Sequence, residues 1–135
     1  GYQCPALTEV VATLAKAPGT HGALNCLGEF FLAQGLDWDP LLHRPGADTL
    51  AGSQDLFAGK QRSRLDWYQQ VIANPKAGKD DKAYALYRAI NCYAPSGSNG
   101  CGSQDVPVSQ RKAWFNTLKQ QHGASQWAKQ LKYYW

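Results

Sequence analysis

No stretch of the 135-residue chain approaches the roughly eighteen consecutive apolar residues that a membrane span requires. The opening Gly1-Tyr2-Gln3-Cys4-Pro5 lacks a basic stretch followed by an apolar run, so no signal peptide is visible. The chain reads as a single domain, 1–135, compatible with being the C-terminal piece of a longer protein. Glutamate is scarce, with only Glu9 and Glu29. No Gly-rich phosphate loop, His-x-x-x-His pair or Gly-x-Ser-x-Gly turn occurs, so the common nucleotide, zinc-protease and serine-hydrolase signatures are missing. The four cysteines show no Cys-x-x-Cys spacing. His21 lies five residues before Cys26, whereas His43 and His122 have no neighbouring cysteine. That pattern argues against zinc. No segment alternates apolar and polar residues as a half-buried strand does, so an all-α fold is expected.

Acidic side chains are also missing where basic ones gather. Residues 1–55 carry two Lys/Arg against six Asp/Glu, and residues 56–135 carry twelve against four. From residue 106 onward there are five basic side chains and no acidic one. Such a half is either a solvated basic surface or one that draws an acidic partner. The basic residues form no dense run and no nucleic-acid motif, so nucleic acid is not expected. Hydrophobic residues make up 44% and aromatics 12%, which is too rich for disorder and enough for a core.

An even number of cysteines in a small chain favours two disulfides and an oxidising compartment, periplasmic or extracellular. Three connectivities are possible. Cys92 and Cys101 bracket the turn-rich Tyr93-Ala-Pro-Ser-Gly-Ser-Asn-Gly100, which favours their pairing and leaves Cys4 with Cys26. The second pair sits awkwardly in a simple hairpin, where Cys4 should face the far end of the second helix. Four buried free thiols are the alternative.

Apolar spacing and stop signals predict helices over about 5–17, 21–34, 62–74, 79–93 and 107–121, then a short last helix capped by Ser125. Residues 36–60 read as a long inserted loop with apolar anchors and a helical turn near 53–57. Two helices share a pattern. Leu24, Leu27, Gly28, Phe31 and Gly35 match Leu86, Ala89, Ile90, Tyr93 and Gly97 at an offset of 62. The helices that follow match from Trp67–Pro75 to Phe115–Gly123 at an offset of 48. A helix, an irregular connection and a second helix thus recur, as in stacked helical hairpins.

With these residues the chain resembles tetratricopeptide (TPR) repeats. Leu24-x2-Leu27-Gly28-x2-Phe31 is similar to the first helix of that motif. Trp67-Tyr-Gln-Gln-Val-Ile-Ala-Asn-Pro75 is similar to the second helix and its closing proline. The stretch from Trp114 to Ala128 resembles the corresponding phrase of bacterial periplasmic TPR proteins, although Gly123 stands where they have proline and the turns inside each hairpin are far longer. The resemblance implies an irregular stack of five or six antiparallel helices. It also implies a protein- or peptide-binding scaffold of the cell envelope, without catalytic residues, metal or cofactor.

Candidate sites follow from the helical pattern. Tyr84, Tyr87, Arg88 and Asn91 fall on one face of the fourth helix, roughly opposite Ala83, Leu86, Ile90 and Tyr93. Tyrosine and arginine are enriched at recognition surfaces. The bland reading has the tyrosines packed on a neighbouring hairpin and Arg88 paired with an acid. The aromatic tail Lys132-Tyr133-Tyr134-Trp135 either caps the apolar end of the last hairpin or docks a partner. Two other classes compete. An inhibitor or immunity-type protein would use 36–60 as its contact. A small cell-wall glycosidase would use Glu29 as its acid, but Asp37 and Asp39 give no second carboxylate at a fixed separation.

Overall fold

The computed structural model describes residues 1–37, 46, 48, 49, 51–54, 56, 59–102 and 104–135. Among these residues there are six helices and no strand: α1 Leu7–Lys16, α2 His21–Gln34, α3 Arg64–Ala73, α4 Lys79–Asn91, α5 Val108–Gln121 and α6 Gln126–Gln130. The fold is all-α, as expected. Of the helical turn expected at 53–57, residues 53, 54 and 56 are not helical and the other two lie outside the described residues, as does about half of the inserted loop 36–60.

Local chemistry sets the boundaries. Gly35 closes α2 in the left-handed conformation (φ 63°) that glycine adopts without a Cβ penalty. Ser63 opens α3 with a capping box: its side chain accepts from the Asp66 N–H, and the Asp66 carboxylate accepts from the Ser63 N–H. Pro107 stands just outside α5 rather than within it, and Ser125 caps α6 by accepting from the Ala128 N–H.

Consecutive helices pack on one another from α1 to α6, and α2 and α6 each also reach α4. Helix α4 is therefore the hub, touched by α2, α3, α5 and α6. A helix surrounded in this way buries more than one face. Ala83, Tyr84, Ala85, Leu86, Ala89 and Ile90 are all buried. Around them lie Leu65, Tyr68 and Val71 of α3, Leu24 of α2, and Leu118, Trp127 and Leu131 of the C-terminal segment. Helix α1 is peripheral, with Val10 buried and Val11 exposed.

Both cysteine pairs are bonded, Cys4 to Cys26 and Cys92 to Cys101, with Cα atoms 5.5 and 5.2 Å apart. The awkwardness of the first pair disappears because Cys4 lies ahead of α1. The segment before the helix runs back along α2, bringing Cys4 beside Cys26 and Tyr2 on to α4. The Tyr2 ring stacks on Tyr84 at 4.1 Å, and its hydroxyl donates to Asp81. Asn25, fully buried, donates to the Tyr2 hydroxyl and to the Asp81 carbonyl. Pinning a loop of this length contributes about 2–4 kcal/mol.

Helices α2 and α3 cross at Gly28. A Cβ there would stand 2.6 Å from the Tyr68 ring, which is itself fully buried. Gly28→Ala is therefore expected to cost about 1–3 kcal/mol by overpacking. A denaturant midpoint equal to that of the parent would refute the close approach.

Candidate functional site

The fourth-helix face singled out in the sequence is assembled from the core outward. Tyr84 is 0% exposed. Its ring meets Tyr2 in a stack, Trp127 edge-on at 4.8 Å and Tyr68 edge-on at 6.4 Å. As a recognition side chain offered to solvent, Tyr84 is corrected by the structure: the hub position of α4 encloses it. One turn on, Arg88 reaches across to α2. Its Nε donates to the Tyr84 hydroxyl at 2.9 Å and its Nη2 to Glu29 Oε2 at 2.9 Å, with Glu29 Oε1 2.8 Å from Nε. Burial, and then the neighbouring Glu29 carboxylate, push the Tyr84 phenol well above its ordinary range. It stays a neutral hydrogen-bonding group.

Tyr87 and Asn91 sit further out, half-buried. The Tyr87 ring lies 5.5 Å from Trp127 and 5.4 Å from the Arg88 guanidinium carbon. The Asn91 amide turns back to donate to the Tyr87 carbonyl. The proposed quartet is thus contiguous, but it grades from an interior tyrosine to two partly open side chains.

Beside it runs a second ion pair. Arg64 grips Asp37 through Nε, at 3.1 and 2.9 Å, and through Nη2. Tyr68 lies between the two pairs, and its buried hydroxyl has no hydrogen-bond partner among the described residues. Burial pushes that phenol up to about 12, against the lowering influence of Arg64. Glu29 also borders a cleft of about 250 Å³ with Cys4, Pro5, Leu7, Cys26 and Phe30.

The last thirty residues differ in charge, with five basic side chains and no acidic one. None of the five basic side chains of residues 106–135 forms an ion pair among the described residues. Lys119 donates to the carbonyls of Ala128 and Leu131, tying α5 to the end of α6. Tyr134 packs on Phe115 at 5.5 Å, while Tyr133 stacks on Tyr134 and remains 57% exposed. The tail therefore caps α5 with one ring and shows another to solvent.

Sequence reasoning missed Tyr2 and Trp127 as partners of Tyr84. Tyr2 carried one usable signal, its place two residues before a cysteine that would pin it to α2. Trp127 is 4% exposed and donates its indole N–H to Asp80 across the core, a contact between distant segments that no local pattern announces.

Among the described residues no group of three or more His, Cys, Asp or Glu is placed to hold a metal ion, and no helix is long and apolar enough to cross a membrane. No protein-family model matches the chain, and neither a curated protein nor a solved structure matches it.

Proposed function

We propose that this domain is a TPR-like protein- or peptide-binding module of the bacterial cell envelope, working in an oxidising periplasmic or extracellular space. It takes acidic partners on the basic surface of residues 106–135, flanked by Tyr87. One observation carries the reading: residues 106–135 hold five basic side chains and no acidic one, and none of the five forms an ion pair among the described residues. Unneutralised charge of one sign on a rigid scaffold steers an opposite partner and costs little ordering entropy on binding. Exposed Tyr133 and Val108 supply apolar contact beside that charge.

The two disulfides support the oxidising compartment. The glycosidase reading gains less. It needs a second carboxylate facing the first, and both Glu29 and Asp37 are engaged by arginines.

The test uses a fluorescein-labelled decapeptide of alternating glutamate and tyrosine, compared with its glutamine counterpart. Association of the acidic peptide is expected to slow as salt rises through roughly 0.05–0.5 M, because the screening length shrinks to a few ångströms. Lys112→Glu and Lys132→Glu, both at exposed positions, should slow association further while leaving the melting temperature within about 2 °C. Equal binding of the glutamine peptide, or rates indifferent to salt, would overturn the proposal.

A further inference from the structure

Among the described residues three arginines reach into the interior, and one of them has no counter-charge there. Arg64 faces Asp37 and Arg88 faces Glu29. Arg111, only 6% exposed, forms no ion pair among the described residues. Its Nη1 donates to the Gly97 carbonyl at 3.2 Å, its guanidinium carbon lies 4.0 Å over the Tyr93 ring, and its buried Nε has no acceptor among the described residues. Removing a guanidinium from water is costly, and interior charges are met by an opposite charge or a full set of hydrogen bonds. A carbonyl and an aromatic face supply part of that.

The surroundings form a prepared pocket. A cleft of about 380 Å³ is lined by Arg111 with Tyr93, Gly97, Asp105, Val106 and Val108. It sits at the N-terminus of α5, a helix of fourteen residues with no acidic side chain in its first turn and no side-chain cap. The N–H groups of Gln110 and Arg111 bond to the Pro107 carbonyl, and those of Val108 and Ser109 make no hydrogen bond among the described residues. Free N–H groups and the helix dipole favour a negative charge there. The frame is fixed from both sides. The Tyr93 hydroxyl accepts from the Val106 N–H at 2.7 Å, setting the approach to α5. The Cys92–Cys101 bond and the Gly100 N–H to the Cys92 carbonyl close the loop that presents Gly97. Asp105 borders the same cleft and forms no ion pair with Arg111 among the described residues; its carboxylate works against an anion there, so the Arg111 side has to carry the binding.

We infer that Arg111 and the N-terminus of α5 form a binding site for a carboxylate, supplied by a partner chain as an acidic side chain or a free C-terminus. A planar carboxylate matches the guanidinium fork, and its second oxygen would meet the free N–H groups of Val108 and Ser109. This inference rests on the binding reading above and gives that surface its anchor.

The experiment follows backbone amides and arginine Nε–H signals by NMR during titration with N-acetyldiglycine, whose only charge is its terminal carboxylate. Its C-terminal amide and inorganic phosphate serve as comparisons. The expected result is a saturable shift of Val108, Ser109 and the Arg111 Nε–H with the free acid and none with the amide. Arg111→Gln should weaken the acid at least about tenfold. Arg111→Lys should also weaken it, since it keeps the charge and loses the fork. Should Arg111→Gln fail to fold, the wild-type signals at Val108 and Ser109 still decide. Equal response to the amide, no saturable shift at α5, shifts confined to exposed lysines, or phosphate saturating at lower concentration than the acid would each overturn the carboxylate assignment. Failure of the acidic decapeptide alongside a saturable N-acetyldiglycine shift would sink the partner reading and leave the pocket standing.

Discussion

Tyr84→Ala is expected to destabilise the domain by about 3–5 kcal/mol, the cost of emptying a fully buried aromatic site. The removed ring is the shared contact of Tyr2, Tyr68 and Trp127, which come from three different segments. They cannot all close on the space that it leaves. The Arg88 Nε would also lose its hydroxyl acceptor. Tyr84→Phe isolates that second effect, because it keeps the ring and removes one charge-assisted hydrogen bond. It should cost about 1–3 kcal/mol. Denaturant midpoints of the two variants, measured with disulfides intact, separate packing from hydrogen bonding. A parent-like midpoint for Tyr84→Ala would mean that the ring is not in the core. Whatever Tyr84→Ala protein remains folded should bind the acidic peptide as the parent does, since the ring has no path to solvent.

Arg88→Met is expected to cost about 2–4 kcal/mol, a little below the range for fully buried pairs because both side chains keep some solvent contact. The loss lies mainly in what stays behind. Glu29 would hold a largely enclosed charge facing an uncharged thioether, and the Tyr84 hydroxyl would lose a donor. Removing both charges should therefore hurt less than removing one. Glu29→Leu combined with Arg88→Met is expected to recover a good part of the single-variant loss, a coupling that a double-mutant cycle reads directly. Additive losses would show that the two side chains act independently.

Much of the helical frame was legible because its signals are local. Gly35 stops α2 and Ser125 opens α6 through hydrogen bonds within a few residues of each position. The Cys92–Cys101 bond was legible for the same reason, since a turn-rich loop returns on itself. Tyr84 shows where such reading stops. A pattern of apolar positions finds the inner face of a helix with one buried side, and α4 is touched by four other helices. Its polar-edged residues then face interior partners that come from far along the chain, Glu29 from α2 and Trp127 from α6. Charge counting did better than position. It marked residues 106–135 as basic without an internal acid, and none of those side chains forms an ion pair among the described residues. It could not single out Arg111 among the five, because burial over Tyr93 depends on the packing of α5 against α4, a contact between separate helices that local spacing does not encode.

The central claim is that the interior Tyr84–Arg88–Glu29 group holds the fold while the surface of residues 106–135 engages the partner. Amide chemical-shift mapping during titration with the acidic decapeptide tests it most directly. Saturable shifts should cluster on α5, α6 and the Tyr133–Trp135 tail, with Glu29, Tyr68 and Tyr84 unmoved. Shifts centred on the cleft beside Glu29 and the Cys4–Cys26 bond, or no saturable shift anywhere, would contradict it.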